Sequence, residues 1–143
     1  GRPLFFQKEN KNFFVNMEGV ELAGQVKIYK EEYEHLPVRF KNKIEHDLQY
    51  LIHAEIPDLK KIYLFGSCAR GEVRSTSDVD LLILTKNRIA DRTLSAVIRW
   101  TLDEDIDGVR TDVVYTFENA GPGSRVFQEE LDRDKKLLLE VLE

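Results

Sequence analysis

Apolar positions along this chain follow two periods, and the switches between them mark its elements. From Pro37 onward, Phe40, Ile44, Leu48, Leu51 and Ile52 recur at helical spacing, with charged residues on the other face. Pro57 stops that helix. Ile62-Tyr63-Leu64-Phe65 is an apolar run of buried-strand length, and Val79 to Leu84 is a second. Asn87 is placed to cap a further helix with Ala90, Leu94, Val97, Ile98 and Leu102 as its stripe. Trp100 falls off the centre of that stripe, as a peripheral core residue or a partner contact. Arg110 to Thr116 alternates as a third strand. After Gly121-Pro122-Gly123, Ser124 caps a last helix whose apolar positions include Phe127, Leu131, Leu138 and Leu142. Ahead of Pro37, Phe13-Phe14-Val15 reads as a short strand. Val20-Glu21-Leu22 and Val26-Lys27-Ile28 read as a hairpin about Ala23-Gly24. Residues 1–36 are thus expected as an N-terminal extension, either hairpin-bearing or partly vector-derived, and residues 37–143 as the main domain.

The chemistry concentrates between Ile62 and Leu84. The first apolar run ends in Gly66-Ser67, and a polar loop leads to Asp78 and Asp80 at the mouth of the second. Strand side chains alternate, so both carboxylates point one way while Val79 and Leu81 point into the core. Two adjacent carboxylates repel unless a cation neutralises them. Mg²⁺ is bound by one or two carboxylates together with substrate phosphates and water. The Gly-Ser turn exposes backbone N–H groups that suit a phosphate. A phosphate cradle beside a metal-binding pair is the equipment of nucleotidyl or phosphoryl transfer.

Gly66-Ser67-Cys68-Ala69-Arg70-Gly71 followed by Ser77-Asp78-Val79-Asp80-Leu81 resembles the GSxARG…SDxDL signature of the polymerase-β-type nucleotidyltransferase superfamily, and within it the minimal nucleotidyltransferases. The likeness is dense over about two dozen residues and weaker from Phe40 to the C-terminus. It implies an α/β (α+β) fold, a small mixed sheet with helices mainly on one face. It implies a third carboxylate on a later strand, for which Asp112 in Thr111-Asp112-Val113-Val114-Tyr115 fits. In that reading Asp78, Asp80 and Asp112 are catalytic and hold two Mg²⁺ ions. Gly66, Ser67, Arg70 and Ser77 meet the nucleotide, with Arg70 on phosphate or bracing the loop. The implied reaction moves AMP from ATP onto an acceptor hydroxyl, here a tyrosine of a HEPN-type helical toxin, which casts the chain as an antitoxin. Larger relatives carry an acceptor domain, which this chain lacks room for after Asp112, so a partner or a dimer mate would supply the acceptor.

Composition narrows the alternatives. The 143 residues fit one domain. A net charge of −5 without a long basic run argues against a general nucleic-acid binder. No apolar run reaches membrane-span length, and the cytoplasm is the expected compartment. Two other classes remain open: a small-molecule, antibiotic-type nucleotidyltransferase, and a non-catalytic module that neutralises a partner by contact. Asp103, Asp105, Asp107 and Gly108 imitate the start of a calcium loop, but its twelfth position is Val114 rather than Glu, so a turn is expected. His35, His46 and His53 lack metal-ligand spacing and read as surface residues. Cys68, the single cysteine, has no visible base partner, although its place in the motif predicts that thiol reagents block the site.

Overall fold

The computed structural model describes residues 5–8, 11–14, 20–21, 25–118 and 134–142. Their elements are β1 (Phe5–Lys8), β2 (Lys11–Phe14), β3 (Val20–Glu21), β4 (Val26–Ile28), α1 (Val38–His53), β5 (Leu59–Phe65), α2 (Gly66–Arg70), β6 (Val79–Thr85), α3 (Arg92–Leu102), β7 (Thr111–Phe117) and β8 (Lys136–Val141). β1 and β2 form their own antiparallel pair, and the other strands form one sheet in the order β3-β4-β8-β5-β6-β7. β5 runs antiparallel to β6, while β6 and β7 are parallel, so the sheet is mixed. Among the described residues no helix is long and apolar enough to cross a membrane.

Period-two alternation gives the sheet a core face. Ile62 pairs with Ile83 and Leu64 with Leu81, and Leu81 pairs in turn with Val113. These side chains bury against Phe40, Ile44, Leu48 and Leu51 of α1 and Ile98 and Leu102 of α3. Both long helices therefore cover one face, as expected. Each such buried side chain contributes about 1.5–3 kcal/mol. Tyr115 ties α3 to β7 by donating to the Ser95 carbonyl at 2.7 Å, with the Arg99 guanidinium over its ring.

Several expectations need correction. The C-terminal apolar positions do not continue a helix: Leu138 lies in strand β8, between β4 and β5. Leu137-Leu138-Leu139 is a continuous apolar run, which a strand covered on both sides accommodates and an amphipathic helix does not. Leu138 and Leu139 are both fully buried. Ser124, Phe127 and Leu131 lie outside the described residues, as do Gly121, Pro122 and Gly123. The cap of α3 is Asp91, whose carboxylate accepts from the Leu94 N–H at 3.0 Å. Asn87 instead donates its side-chain amide to Asp58 at 3.2 Å, tying the loop after β6 to the start of β5. Ala90 therefore precedes α3, and Val97 is on its solvent side, 45% exposed. The hairpin is present: Val20 and Glu21 pair with Lys27 and Val26. Its second strand joins the main sheet through β8, and the Tyr29 hydroxyl donates to Glu140 at 2.9 Å. Finally, α1 does not keep all its charges in solvent, because Lys43 and Asp47 are fully buried.

Candidate active site

Three strand ends build the site. β5 ends at Phe65, and the chain turns at Gly66 with φ of +73° before the short helix α2. That left-handed backbone favours glycine. So does the space: a Cβ on Gly66 would run into Asp80 Oδ2. Backbone and carboxylate thus approach as closely as they do only because residue 66 lacks a side chain. α2 closes on Gly71, whose N–H donates to the Cys68 carbonyl at 3.3 Å.

The loop from Gly71 to Asp78 is fastened at several points. The Arg74 N–H donates to Ser77 Oγ at 2.8 Å, so Ser77 closes its own turn. Cys68 is buried, and its thiol faces the Asp78 carbonyl at 3.6 Å. Burial first, then the charges of Asp80 and Asp78, push that thiol up to about 11. The Val79 N–H donates to the Arg110 carbonyl at 2.9 Å and locks the start of β6 to the start of β7.

That lock sets the carboxylates. In the parallel β6–β7 ladder, Asp80 is the register partner of Asp112. Paired residues on adjacent strands share a face, at a strand spacing of about 4.8 Å. Val79 and Leu81, on the other side of β6, are fully buried in the core. Asp78 immediately precedes β6 and by alternation projects with Asp80. Asp80 is half-buried, while Asp78 and Asp112 are exposed. Burial, then the charges of Asp112 and of Asp78, raise the Asp80 carboxyl to about 6, with Arg70 opposing the shift. Asp112 and Asp78 therefore both act electrostatically on Asp80. Among the described residues no three His, Cys, Asp or Glu side chains have already closed to metal-holding geometry. What the fold supplies is register and donor chemistry: carboxylate oxygens only, the type a hard divalent cation takes.

Arg70 is engaged within the protein. Its Nε donates to Glu72 at 2.7 Å, and Nη1 lies 3.7 Å from Asp134, just ahead of β8. The Asp103–Gly108 stretch is a turn: Asp107 and Gly108 have φ of +54° and +83°, and Asp105 accepts from the Gly108 N–H at 2.8 Å. Trp100 is 80% exposed.

The sequence reading missed Lys43 and Asp47. The signal was there: positions 40, 43, 44, 47, 48 and 51 make one complete i, i+3, i+4 stripe, and two of them carry opposite charges four residues apart.

The profile of the family described as nucleotidyltransferase domain matches residues 52–136. Protein adenylyltransferase MntA of Shewanella oneidensis is 36% identical over 66 residues, which cover 44% of this chain. The chain spans about half of that relative, 48% of its length. Among solved structures, a toxin–antitoxin complex with AMP-PNP is 26% identical, covers 65% of this chain and 70% of its own, and superposes with a TM-score of 0.48. A mutant MntA–HpeT toxin–antitoxin complex is also 26% identical, with 66% and 70% covered and a TM-score of 0.49. The profile match takes in β5, α2, β6, α3 and β7, with Gly66, Asp78, Asp80 and Asp112 inside it, and on that footing the chain belongs to the nucleotidyltransferase domain family.

Proposed function

We propose that this protein is a metal-dependent adenylyltransferase that moves AMP from ATP onto a hydroxyl of a partner protein. The observation that carries the reading is the in-register pair Asp80 and Asp112, set against a glycine turn that only a residue without Cβ can make. The 36% identity over 66 residues to a protein adenylyltransferase supports AMP as the group moved.

Asp78, Asp80 and Asp112 would hold Mg²⁺, two ions by the family likeness. Bound there, Mg²⁺ neutralises the triphosphate and lowers the pKa of the acceptor hydroxyl. The chain's own groups do the rest. The backbone N–H groups of Gly66 and Ser67 and the Ser67 hydroxyl receive the β- and γ-phosphates. Ser77 uses its Oγ lone pair on Arg74 and keeps its O–H to donate to phosphate. The acceptor oxygen attacks the α-phosphorus, the bond to the β-phosphate breaks, and pyrophosphate leaves. Asp112, exposed at the rim, takes the acceptor's proton. Arg70, held by Glu72 and Asp134, braces the phosphate loop rather than reaching the nucleotide. The acceptor is proposed to be a tyrosine of a HEPN-type toxin, which gives the protein an antitoxin role.

A second reading, neutralisation by contact alone, draws on Trp100 and Val97, exposed side by side on α3. One experiment separates the two. Transfer from α-³²P-labelled ATP with Mg²⁺ is measured in lysate or with a helical partner, beside Asp78→Ala/Asp80→Ala. Label on a protein band that the double variant loses supports adenylylation. Label on small molecules alone points to an antibiotic-type enzyme. No label, together with partner inhibition that survives the double variant, leaves the contact module.

A further inference from the structure

Helix α1 interrupts its apolar stripe with a buried ion pair. Lys43 Nζ lies 2.8 Å from Asp47 Oδ1, and both side chains are sealed from solvent. The ammonium also donates to the carbonyl of Leu102, the last residue of α3, at 2.9 Å. The other oxygen, Asp47 Oδ2, accepts from Thr111 Oγ1. Thr111 is buried and is the first residue of β7. Its neighbour is Asp112. Because strand side chains alternate, Thr111 faces the helices while Asp112 faces the other way. Thr111 is also the register partner of Val79, one residue before Asp80. One turn earlier on α1, Arg39 donates to the Ser75 carbonyl at 2.8 Å and to the Asp107 carbonyl at 3.3 Å. Those carbonyls belong to the two loops that lead into β6 and β7.

Apolar side chains of the same size would hold α1 on the sheet as well or better, because burying two charges costs solvation that their attraction only partly returns. What apolar packing lacks is direction. The β6–β7 ladder fixes which residues pair, and a hydrogen-bonded carboxylate adds a second fixed point on the helix side of β7, one oxygen against one hydroxyl. The place where this direction is spent is the residue next to Asp112.

We propose that Lys43 and Asp47 are positioning residues for the carboxylate site, acting through Thr111 to set Asp112 against Asp80. The proposal rests on the metal-binding reading given above.

Mn²⁺ serves as the probe, its binding to the full chain followed by electron paramagnetic resonance with a non-hydrolysable ATP analogue present. Thermal midpoints are recorded in parallel. Thr111→Val removes the hydroxyl and keeps the volume, and Thr111→Ser keeps the hydroxyl. Thr111→Val is expected to weaken Mn²⁺ binding about tenfold or more while remaining folded, and Thr111→Ser to restore it. A Thr111→Val protein that melts lower but binds Mn²⁺ like wild type overturns the proposal, because the network is then structural only. Asp80→Asn locates the failure. If Asp80→Asn abolishes binding and Thr111→Val leaves it intact, positioning fails and the carboxylate site stands. If wild type and Asp80→Asn bind alike, the carboxylate reading fails and this proposal fails with it.

Discussion

Asp80 meets opposing demands: burial and the charges of Asp112 and Asp78 raise its carboxyl, and Arg70 lowers it. Its carboxyl titrates at about 6 in the fold, against an ordinary 3.8. Between those values the folded protein holds a proton that the unfolded chain has released. The contribution of Asp80 to stability is therefore fully present below about 3.8 and is lost as pH rises through about 6, with the slope set by linkage. The thermal midpoint of the metal-free wild type should fall over that window relative to Asp80→Asn, and Mg²⁺ should reduce the gap. A gap that is the same at every pH would contradict the arrangement. Gly66 makes the complementary point. Gly66→Ala would combine a left-handed backbone with a collision against Asp80. Displacing a reacting group by about 1 Å costs roughly 10²-fold in rate, so labelled transfer should fall by that order with the protein still folded. Cys68 revises an expectation. Its place in the motif pointed to easy blocking by thiol reagents, but it is buried and its thiol is pushed up to about 11, so little thiolate exists at neutral pH. Maleimide should label the native protein slowly at neutral pH and the denatured protein fast. Rapid native labelling would contradict the burial.

Among the elements, those with one clear period were the ones legible from the chain. α1, β5, β6 and β7 have apolar positions that match a single template, and each lies where its pattern puts it. The motif residues were legible for the same reason: Gly66, Asp78 and Asp80 flank two unmistakable apolar runs. β8 was not, because Leu137-Leu138-Leu139 fits a buried strand or the side of a helix equally, and only its two neighbours decide. The cap of α3 failed more locally. Asn87 and Asp91 are both competent caps, and the contact of Asn87 with Asp58 is invisible in sequence. The Lys43–Asp47 pair was misread because charge was equated with exposure, which holds for most helices and fails where two opposite charges meet inside. The strand assignment makes a firm demand on β8. Leu138→Ala removes a side chain with no exposed surface, and should cost about 2–5 kcal/mol in chemical denaturation. A cost near zero would place residue 138 outside the core.

At the scale of the whole molecule, the helices crowd one face of the sheet and the carboxylates look out from the other. Architecture and chemistry are thus divided between opposite sides of the same strands, and Thr111 and Asp112, adjacent in sequence, mark the division. β8 introduces a different asymmetry. Among the described residues it is the strand that joins β4 to β5, so the β3–β4 hairpin meets the rest of that sheet through a segment more than a hundred residues away in the chain. A sheet spliced in this way should open in blocks rather than fray from its edge. When β8 lets go, β4 loses its inner partner at the same moment, while β6 and β7 keep theirs. Amide hydrogen exchange should then show β4 and β8 sharing one opening free energy, below that of the β6–β7 ladder. The motion that loosens the molecule would begin in the strand whose pattern was hardest to read and leave the acidic pair at Asp80 and Asp112 in register.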